Sequence, residues 1–267
     1  MRPEHDPAAT AADEELRRAV AEARALARAP VSGFAVGAAA RGGSGAVYPG
    51  ANLEFPGLPL GATVHAEQAA IANAWAHGET SVSALAVSAA PCGHCRQFLN
   101  ELRDARELRV LIPGRDAMTL GELLPEAFGP DVLGTTERLL DEAVHRLQFA
   151  DPAAVTAIDP LPGAALSAAT TSYAPYSGTL AGLALALADG SIVAGRSAEN
   201  AAYNPGLPPL QAALIALAVA GTSYDAIARA VLVETAGSVS HQAASAALLA
   251  AVAPATRLTY LRATAAP

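Results

Sequence analysis

The spacing of apolar and polar residues divides the first part of the chain into short predicted elements. Residues 13–29 carry apolar side chains on one helical face and arginines and acids around the rest, so they are predicted to form an amphipathic helix that ends at Pro30. Two apolar runs, residues 34–41 and 46–55, flank Gly42-Gly43-Ser44-Gly45, which is typical of a turn. These runs are predicted to pair as a β-hairpin.

Four more elements follow the hairpin and a loop rich in proline and glycine. Residues 65–77 and 95–103 are predicted helices, and residues 85–88 and 108–112 are predicted buried strands. The order β-β-α-β-α-β indicates a sheet flanked by helices. The longest apolar run, residues 210–220, is too short to cross a bilayer, which needs ~20 residues, so we interpret it as a buried helix.

An internal repeat indicates that the chain contains two copies of one domain. Residues 29–33 recur as residues 174–178, 145 positions later. Farther along, the offset falls to 143, because Gln68-Ala69-Ala70 matches Gln211-Ala212-Ala213. Three single positions also keep the first offset: Gly37, Gly50 and Glu54, matched by Gly182, Gly195 and Glu199.

The repeat divides the chain into four expected segments. Residues 1–29 form an N-terminal helical segment, residues 30–130 the first copy and residues 167–267 the second. Residues 131–166 are expected to be a linker, which begins with a helix over residues 137–149 and continues as a run rich in proline and glycine.

Composition and charge exclude several classes of protein. The chain is 52% hydrophobic and 16% charged, as is typical of a globular protein with a buried core. Its net charge of −8, with no basic cluster, argues against a nucleic-acid partner. The acidic N-terminus lacks the apolar segment of a secretory signal, so we expect a cytoplasmic protein that does not contact membranes.

Two short clusters bring metal-binding residue types together: His65-Ala66-Glu67 and Pro91-Cys92-Gly93-His94-Cys95. Imidazole and thiolate are ligands that Zn²⁺ prefers, and three protein ligands leave a fourth position for water, as in catalytic zinc sites. The combination H-x-E and P-C-x-x-C is the pattern of zinc-dependent nucleobase deaminases. The chain has two cysteines, both in this pattern, so a disulfide scaffold is excluded.

The same residues allow other interpretations. A Cys-x-x-Cys pair by itself is also typical of a redox dithiol, although the upstream His-x-Glu disfavours that role here. His94 lies between the cysteines and is a further candidate ligand. We do not expect His94 to bind the metal, because a fourth protein ligand would exclude the water.

A family resemblance rests on these clusters and their surroundings, residues 50–55, 63–68, 91–98, 123–130 and 198–205. Together they resemble the large, two-domain, homodimeric cytidine deaminases of bacteria. The resemblance implies an α/β fold of the cytidine deaminase type, a three-layer α-β-α sandwich. It also implies that this sandwich is duplicated, with a catalytic N-terminal copy and a zinc-less C-terminal copy.

The resemblance implies one Zn²⁺ per subunit, held by His65, Cys92 and Cys95. Glu67 takes the position of the catalytic proton shuttle. In the second copy, a proline and a leucine stand at the positions of the histidine and the glutamate, and no cysteine follows Cys95. The second copy therefore cannot hold zinc in this way.

Four residues are expected to bind the substrate. Asn52 and Glu54 are two apart on a predicted strand, so their amide and carboxylate point to one face, and the resemblance assigns them to the ribose. An exposed polar strand face is the alternative. Phe34 matches a family aromatic that lies against the pyrimidine ring, with a core position as its alternative. Ala66, between the ligand and the shuttle, is also expected to contact the substrate.

The resemblance implies hydrolytic deamination of cytidine and 2′-deoxycytidine in pyrimidine salvage, with release of ammonia. The alternatives are a related deaminase of a modified nucleoside, a nucleotide or another base, and a zinc-stabilised scaffold without activity. The resemblance also implies a homodimer in which the C-terminal domain completes the partner's active site. Tyr203 is then expected to be a wall of the partner's substrate pocket.

Overall fold

The chain folds into two α/β halves. A computed structural model describes residues 7–143, 145–156 and 158–267. The first half contains α1 (Pro7–Arg24), β1 (Gly37–Gly42), β2 (Val47–Ala51), α2 (Ala66–Ala76), β3 (Val82–Val87), α3 (Gly93–Leu99), β4 (Arg109–Leu111), β5 (Met118–Thr119) and α4 (Leu120–Leu123). The second half contains β6 (Leu147–Phe149), α5 (Pro160–Thr170), β7 (Ala181–Leu187), β8 (Ile192–Arg196), α6 (Pro209–Val219), β9 (Ile227–Thr235), α7 (Gln242–Val252) and β10 (Leu258–Ala265).

Each half is built on a five-stranded mixed sheet. The strand order is β2-β1-β3-β4-β5 in the first sheet and β6-β10-β9-β7-β8 in the second. In the first sheet, β1 pairs antiparallel with β2 and β3, and β3 pairs parallel with β4. The second sheet repeats this arrangement, since β7 pairs antiparallel with β8 and β9, and β9 pairs parallel with β10. The duplicated α/β fold expected from the sequence is confirmed.

Helices cover both faces of the first sheet. Successive side chains of a strand point to opposite faces. On β1, Ala39 packs in a cluster with Leu16 and Val20 of α1, whereas Ala38 and Ala40 belong to the main core that includes α2. All three alanines are fully buried. The small side chains allow the helices to approach the sheet closely, which gives three layers.

Glycines at matched positions mark the closest helix–sheet contacts. A Cβ on Gly50 of β2 would overlap the Ala66 carbonyl of α2, and a Cβ on Gly195 of β8 would overlap the Pro209 carbonyl of α6. The two glycines are 145 positions apart and the two helix residues 143 apart. Both offsets of the sequence repeat are therefore present in the packing.

The structure corrects the expected N-terminal segment. The first helix runs from Pro7 to Arg24 rather than over residues 13–29. It packs on the first sheet, where a Cβ on Gly37 would overlap its backbone, just as a Cβ on Gly182 would overlap α5. α1 is therefore an integral layer of the first half, with α5 as its counterpart in the second.

The structure also corrects the expected linker, residues 131–166. This segment contains β6, which pairs with β10, and the beginning of α5. Residues 137–143 are irregular rather than helical. The run rich in proline starts a helix instead of a loop, because Asp159 accepts a hydrogen bond from the Leu161 amide and Pro160 occupies the first helical position, where an N–H is not needed.

The two halves pack tightly against each other. One buried apolar cluster contains residues of both sheets and of α2 and α6. At its margin the Arg28 guanidinium lies 3.9 Å from the centre of the Tyr224 ring, and the Arg196 guanidinium lies 3.7 Å from the centre of the Trp75 ring. Burial lowers the pKa of Arg196 to about 10. Among the described residues, no helix combines the length and the apolar character that a membrane span requires.

We expect Gly195→Ala to destabilise the fold, because the added Cβ would overlap the backbone of α6. Overpacking of this kind costs about 1–3 kcal/mol. Gly163→Ala is the matched control. Gly163 lies in α5 of the same half with no atom within 4 Å of an added Cβ, so alanine should stabilise by about 0.5–1 kcal/mol. Urea unfolding measures both variants, and equal stabilities would contradict the close contact.

Candidate active site

The three predicted metal ligands come from the starts of two helices. His65 directly precedes α2, and Cys92 directly precedes α3, which carries Cys95 in its first turn. Cys95 is fully buried and Cys92 is exposed. The loop between β3 and α3 therefore brings both sulfurs to the end of α2.

The ligand atoms lie at distances that suit a tetrahedral metal ion. His65 Nδ1 is 3.5 Å from Cys92 Sγ and 3.2 Å from Cys95 Sγ, and the two sulfurs are 3.5 Å apart. Tetrahedral Zn²⁺, with Zn–S distances of about 2.3 Å and Zn–N of about 2.0 Å, places such atoms about 3.5–3.8 Å apart. These residues form one metal-binding group in the described part of the chain. The three side chains fit zinc and leave a fourth position open.

The protonation of the cysteines favours metal binding at Cys92. Hydrogen bonds with Cys95 and His65 lower the pKa of Cys92 to about 3, so this side chain is a thiolate. The pKa of Cys95 is raised by the neighbouring Cys92 and by burial. A bound cation would favour the thiolate form of both side chains.

Glu67 lies in the first turn of α2 and is buried, with 4% of its surface exposed. Burial raises the pKa of Glu67, and the nearby Cys95 and His65 side chains oppose that shift. A carboxyl group with a raised pKa takes up a proton more readily, which suits a general acid–base role. The position beside the metal ligands is what a proton shuttle requires.

Asn52 and Glu54 follow β2 and hold a turn beside the site. The Asn52 amide accepts from the Val36 N–H at 2.8 Å and donates to the Phe34 carbonyl at 3.0 Å. Glu54 accepts from the backbone and hydroxyl of Ser32. Burial raises the pKa of Glu54, but these hydrogen bonds outweigh it and lower the pKa overall. Neither residue belongs to an exposed polar strand face.

The second copy uses the same turn contacts. Glu199, the counterpart of Glu54, accepts from the Tyr176 amide at 2.9 Å and from the amide and hydroxyl of Ser177. Because the second copy keeps this carboxylate without a metal site, the turn contact is part of the fold. The role of Asn52 and Glu54 in binding ribose stays a prediction.

The remaining predicted site residues differ in exposure. Ala66 is buried, whereas Phe34 is 59% exposed and Tyr203 is 72% exposed. Phe34 is therefore not a core residue, and its ring is available to a ligand or a partner. Tyr203 has a positive φ of 63° at the tip of its loop.

The loop around Tyr203 contacts the first half of its own chain, a contact that the sequence did not predict. The Asn204 carbonyl lies 3.2 Å from His94 Nε2, and the Gln68 amide donates to the Pro205 carbonyl at 2.9 Å. The expectation placed this segment against the partner subunit. In the single chain its backbone reaches the ends of α2 and α3, and the contact with the partner stays a prediction.

The second half lacks the metal ligands, as its sequence predicts. Pro208 precedes α6 at the position of His65, and Leu210 replaces Glu67. Leu210 is fully buried in the core. An apolar side chain therefore fills the place where the first half keeps a buried carboxyl group.

Comparisons with known proteins agree with this geometry. Residues 10–111 and 120–247 each match a family model described as the cytidine and deoxycytidylate deaminase zinc-binding region. The cytidine deaminase of Vibrio atlanticus (strain LGP32) is 48% identical over 252 residues, 94% of this chain and 83% of its own length. That of Yersinia pestis (strain Pestoides F) is 51% identical over 220 residues, 82% of this chain and 73% of its own.

Among solved structures, cytidine deaminase from Mycobacterium tuberculosis is 39% identical and covers 43% of this chain and 96% of its own, with a TM-score of 0.40. The family match covers both halves, and its zinc-binding character agrees with the grouping of His65, Cys92 and Cys95. The chain therefore belongs to the cytidine and deoxycytidylate deaminase family, with zinc as its cofactor.

Proposed function

We propose that the protein deaminates cytidine and 2′-deoxycytidine to uridine and 2′-deoxyuridine, with release of ammonia, in pyrimidine salvage. The observation that carries this proposal is the buried carboxyl group of Glu67 next to three side chains that can hold zinc. The cytidine deaminases to which the chain is similar support cytidine as the substrate. The cytoplasmic location stays a prediction.

The proposed reaction adds water to C4 of the base and breaks the bond from C4 to the amino nitrogen. When bound, zinc lowers the pKa of water from 15.7 to about 7 and so supplies a nucleophile at neutral pH. Glu67 accepts one proton of the attacking water and delivers it to ring N3. It then takes the proton of the new C4 hydroxyl and passes it to the amino nitrogen, so that ammonia leaves and the C4 carbonyl forms. One neutral imidazole and two thiolates balance the charge of Zn²⁺. We propose that Phe34, Asn52, Glu54 and Ala66 orient the nucleoside.

We expect Glu67→Ala to abolish most of the activity while the protein still binds zinc. The variant loses proton transfer, which contributes about 10²–10⁴-fold to a rate, but keeps all three ligands. Ammonia release from cytidine and 2′-deoxycytidine, together with zinc content, measures the effect. Glu142→Ala, at an exposed glutamate, is the control and should keep full activity.

Two outcomes of this experiment would contradict the proposal. Activity retained by zinc-loaded Glu67→Ala would show that Glu67 is not the shuttle. A wild-type protein that binds zinc but releases no ammonia from either nucleoside would show that the substrate is a different one, such as a modified nucleoside or a nucleotide.

We also propose that the protein forms a homodimer in which Tyr203 lines the partner's pocket. Val31, Phe34 and Tyr203 are large apolar side chains more than half exposed in the single chain. Burying them against a second subunit would stabilise the dimer by removing apolar surface from water. The contacts between residues 204–205 and the same subunit leave the Tyr203 side chain free to point away.

Mixing two inactive variants tests whether Tyr203 acts on the partner. Glu67→Ala lacks the shuttle and Tyr203→Ala lacks the proposed wall. If Tyr203 acts in the partner's site, a mixed dimer contains one intact site, and random exchange restores about a quarter of wild-type activity. If Tyr203 serves its own subunit, mixing restores nothing. Analytical ultracentrifugation of each sample establishes that dimers form, and energy transfer between differently labelled variants establishes that their subunits exchange.

A further inference from the structure

His94 lies beside the metal site without being one of its ligands. Its ring stacks on the ring of His65, with centroids 5.0 Å apart and an angle of 28° between the planes. Its Nε2 donates to the backbone carbonyl of Asn204 at 3.2 Å. His94 therefore contacts a zinc ligand of the first half and a loop of the second half at the same time.

The loop that His94 contacts, residues 200–206 (the interdomain loop), is held firmly against α3. Asn200 is fully buried, and its side-chain amide donates to a backbone carbonyl of α3 at 2.9 Å. The Ala201 amide donates at 2.8 Å to the carboxyl group of Glu101, which is also fully buried. Two tyrosine hydroxyls of the second half bind the same carboxyl group. The position of the loop is thus fixed relative to the helix that carries the cysteines.

The ring of His65 needs a contact that limits its rotation. Metal-binding histidines are usually oriented by an acceptor that bonds their second ring nitrogen. His65 directs Nδ1 at the two sulfurs. The stacked ring of His94 is in a position to restrict that rotation, and the hydrogen bond to Asn204 in turn orients His94.

We propose that His94 is a positioning residue that links the interdomain loop to the zinc ligand His65. In this way the second half, which holds no ligand, helps to fix the geometry of the metal site. The consequence for catalysis rests on the proposed function, but the consequence for metal binding does not.

Zinc affinity tests the proposal directly. Metal-free protein is titrated with zinc in competition with a chromogenic chelator. Loss of a residue that orients a metal ligand lowers affinity by about 10–100-fold, and we expect this range for His94→Ala. His77→Ala is the matched control, because His77 also packs on an aromatic ring, that of Tyr48, and also contacts a backbone carbonyl, that of Asn73. We expect His77→Ala to bind zinc as the wild type does.

Cobalt substitution adds a second measurement. The Co²⁺ absorption spectrum would not change if His94 only supported the fold. The visible absorption of Co²⁺ depends on ligand geometry, so the bands should shift in His94→Ala and stay unchanged in His77→Ala. Wild-type zinc affinity and an unchanged cobalt spectrum in His94→Ala would overturn the proposal. If His94→Ala does not fold, His94→Phe replaces it. Phenylalanine keeps a ring but not the donor, and an unchanged zinc affinity in this variant would also overturn the proposal.

A double-mutant cycle tests the link to the interdomain loop. Asn200→Ala removes the hydrogen bond that holds the loop to α3 and leaves every metal ligand in place. We expect it to weaken zinc binding in the wild-type background and to add no further loss in His94→Ala, because coupled residues are not additive. If the losses of zinc affinity in the two single variants simply add in the double variant, or if Asn200→Ala loses no affinity, the proposed link is wrong. These measurements use zinc or cobalt without a nucleoside. A failure to deaminate cytidine would therefore contradict the proposed function but not the role of His94.

Discussion

The zinc site depends on three ligand atoms, carried at the starts of two helices, that lie 3.2–3.5 Å apart. His65 precedes α2 and Cys92 precedes α3, so the points at which these helices begin decide whether the site can form. Gly50 allows α2 to lie directly on β2. A side chain at Gly50 would push α2 away from the sheet and carry His65 with it. Close helix–sheet packing is therefore a condition of the chemistry as well as of stability.

Comparison of the two halves separates residues that maintain the fold from those that carry chemistry. Gly195 permits the same close packing as Gly50, and Glu199 holds the same turn as Glu54. At the helix start, however, Pro208 stands where the first half has His65. The second half keeps the architecture without the ligands. It nonetheless contacts the ends of α2 and α3, next to the metal ligands.

Local patterns predicted the elements and the ligand group, because both depend on spacing within short segments. The offset of 145 between Gly50 and Gly195 also predicted that these residues occupy equivalent positions in the two halves. The linker prediction over residues 131–166 failed, because β6 is a strand only through its pairing with distant β10. The bond between Glu101 and Ala201 joins residues 100 positions apart. No local signal indicates such a contact, so the interdomain loop's approach to His94 was visible only in the structure.

The central claim is that zinc is bound by one imidazole and two thiolates, with one position open for water. X-ray absorption at the zinc edge of the metal-loaded wild-type protein tests this most directly. The account predicts two sulfurs at about 2.3 Å and two lighter atoms at about 2.0–2.1 Å, with the scattering of a single imidazole. A spectrum with two imidazoles, or with fewer than two sulfurs, would contradict it.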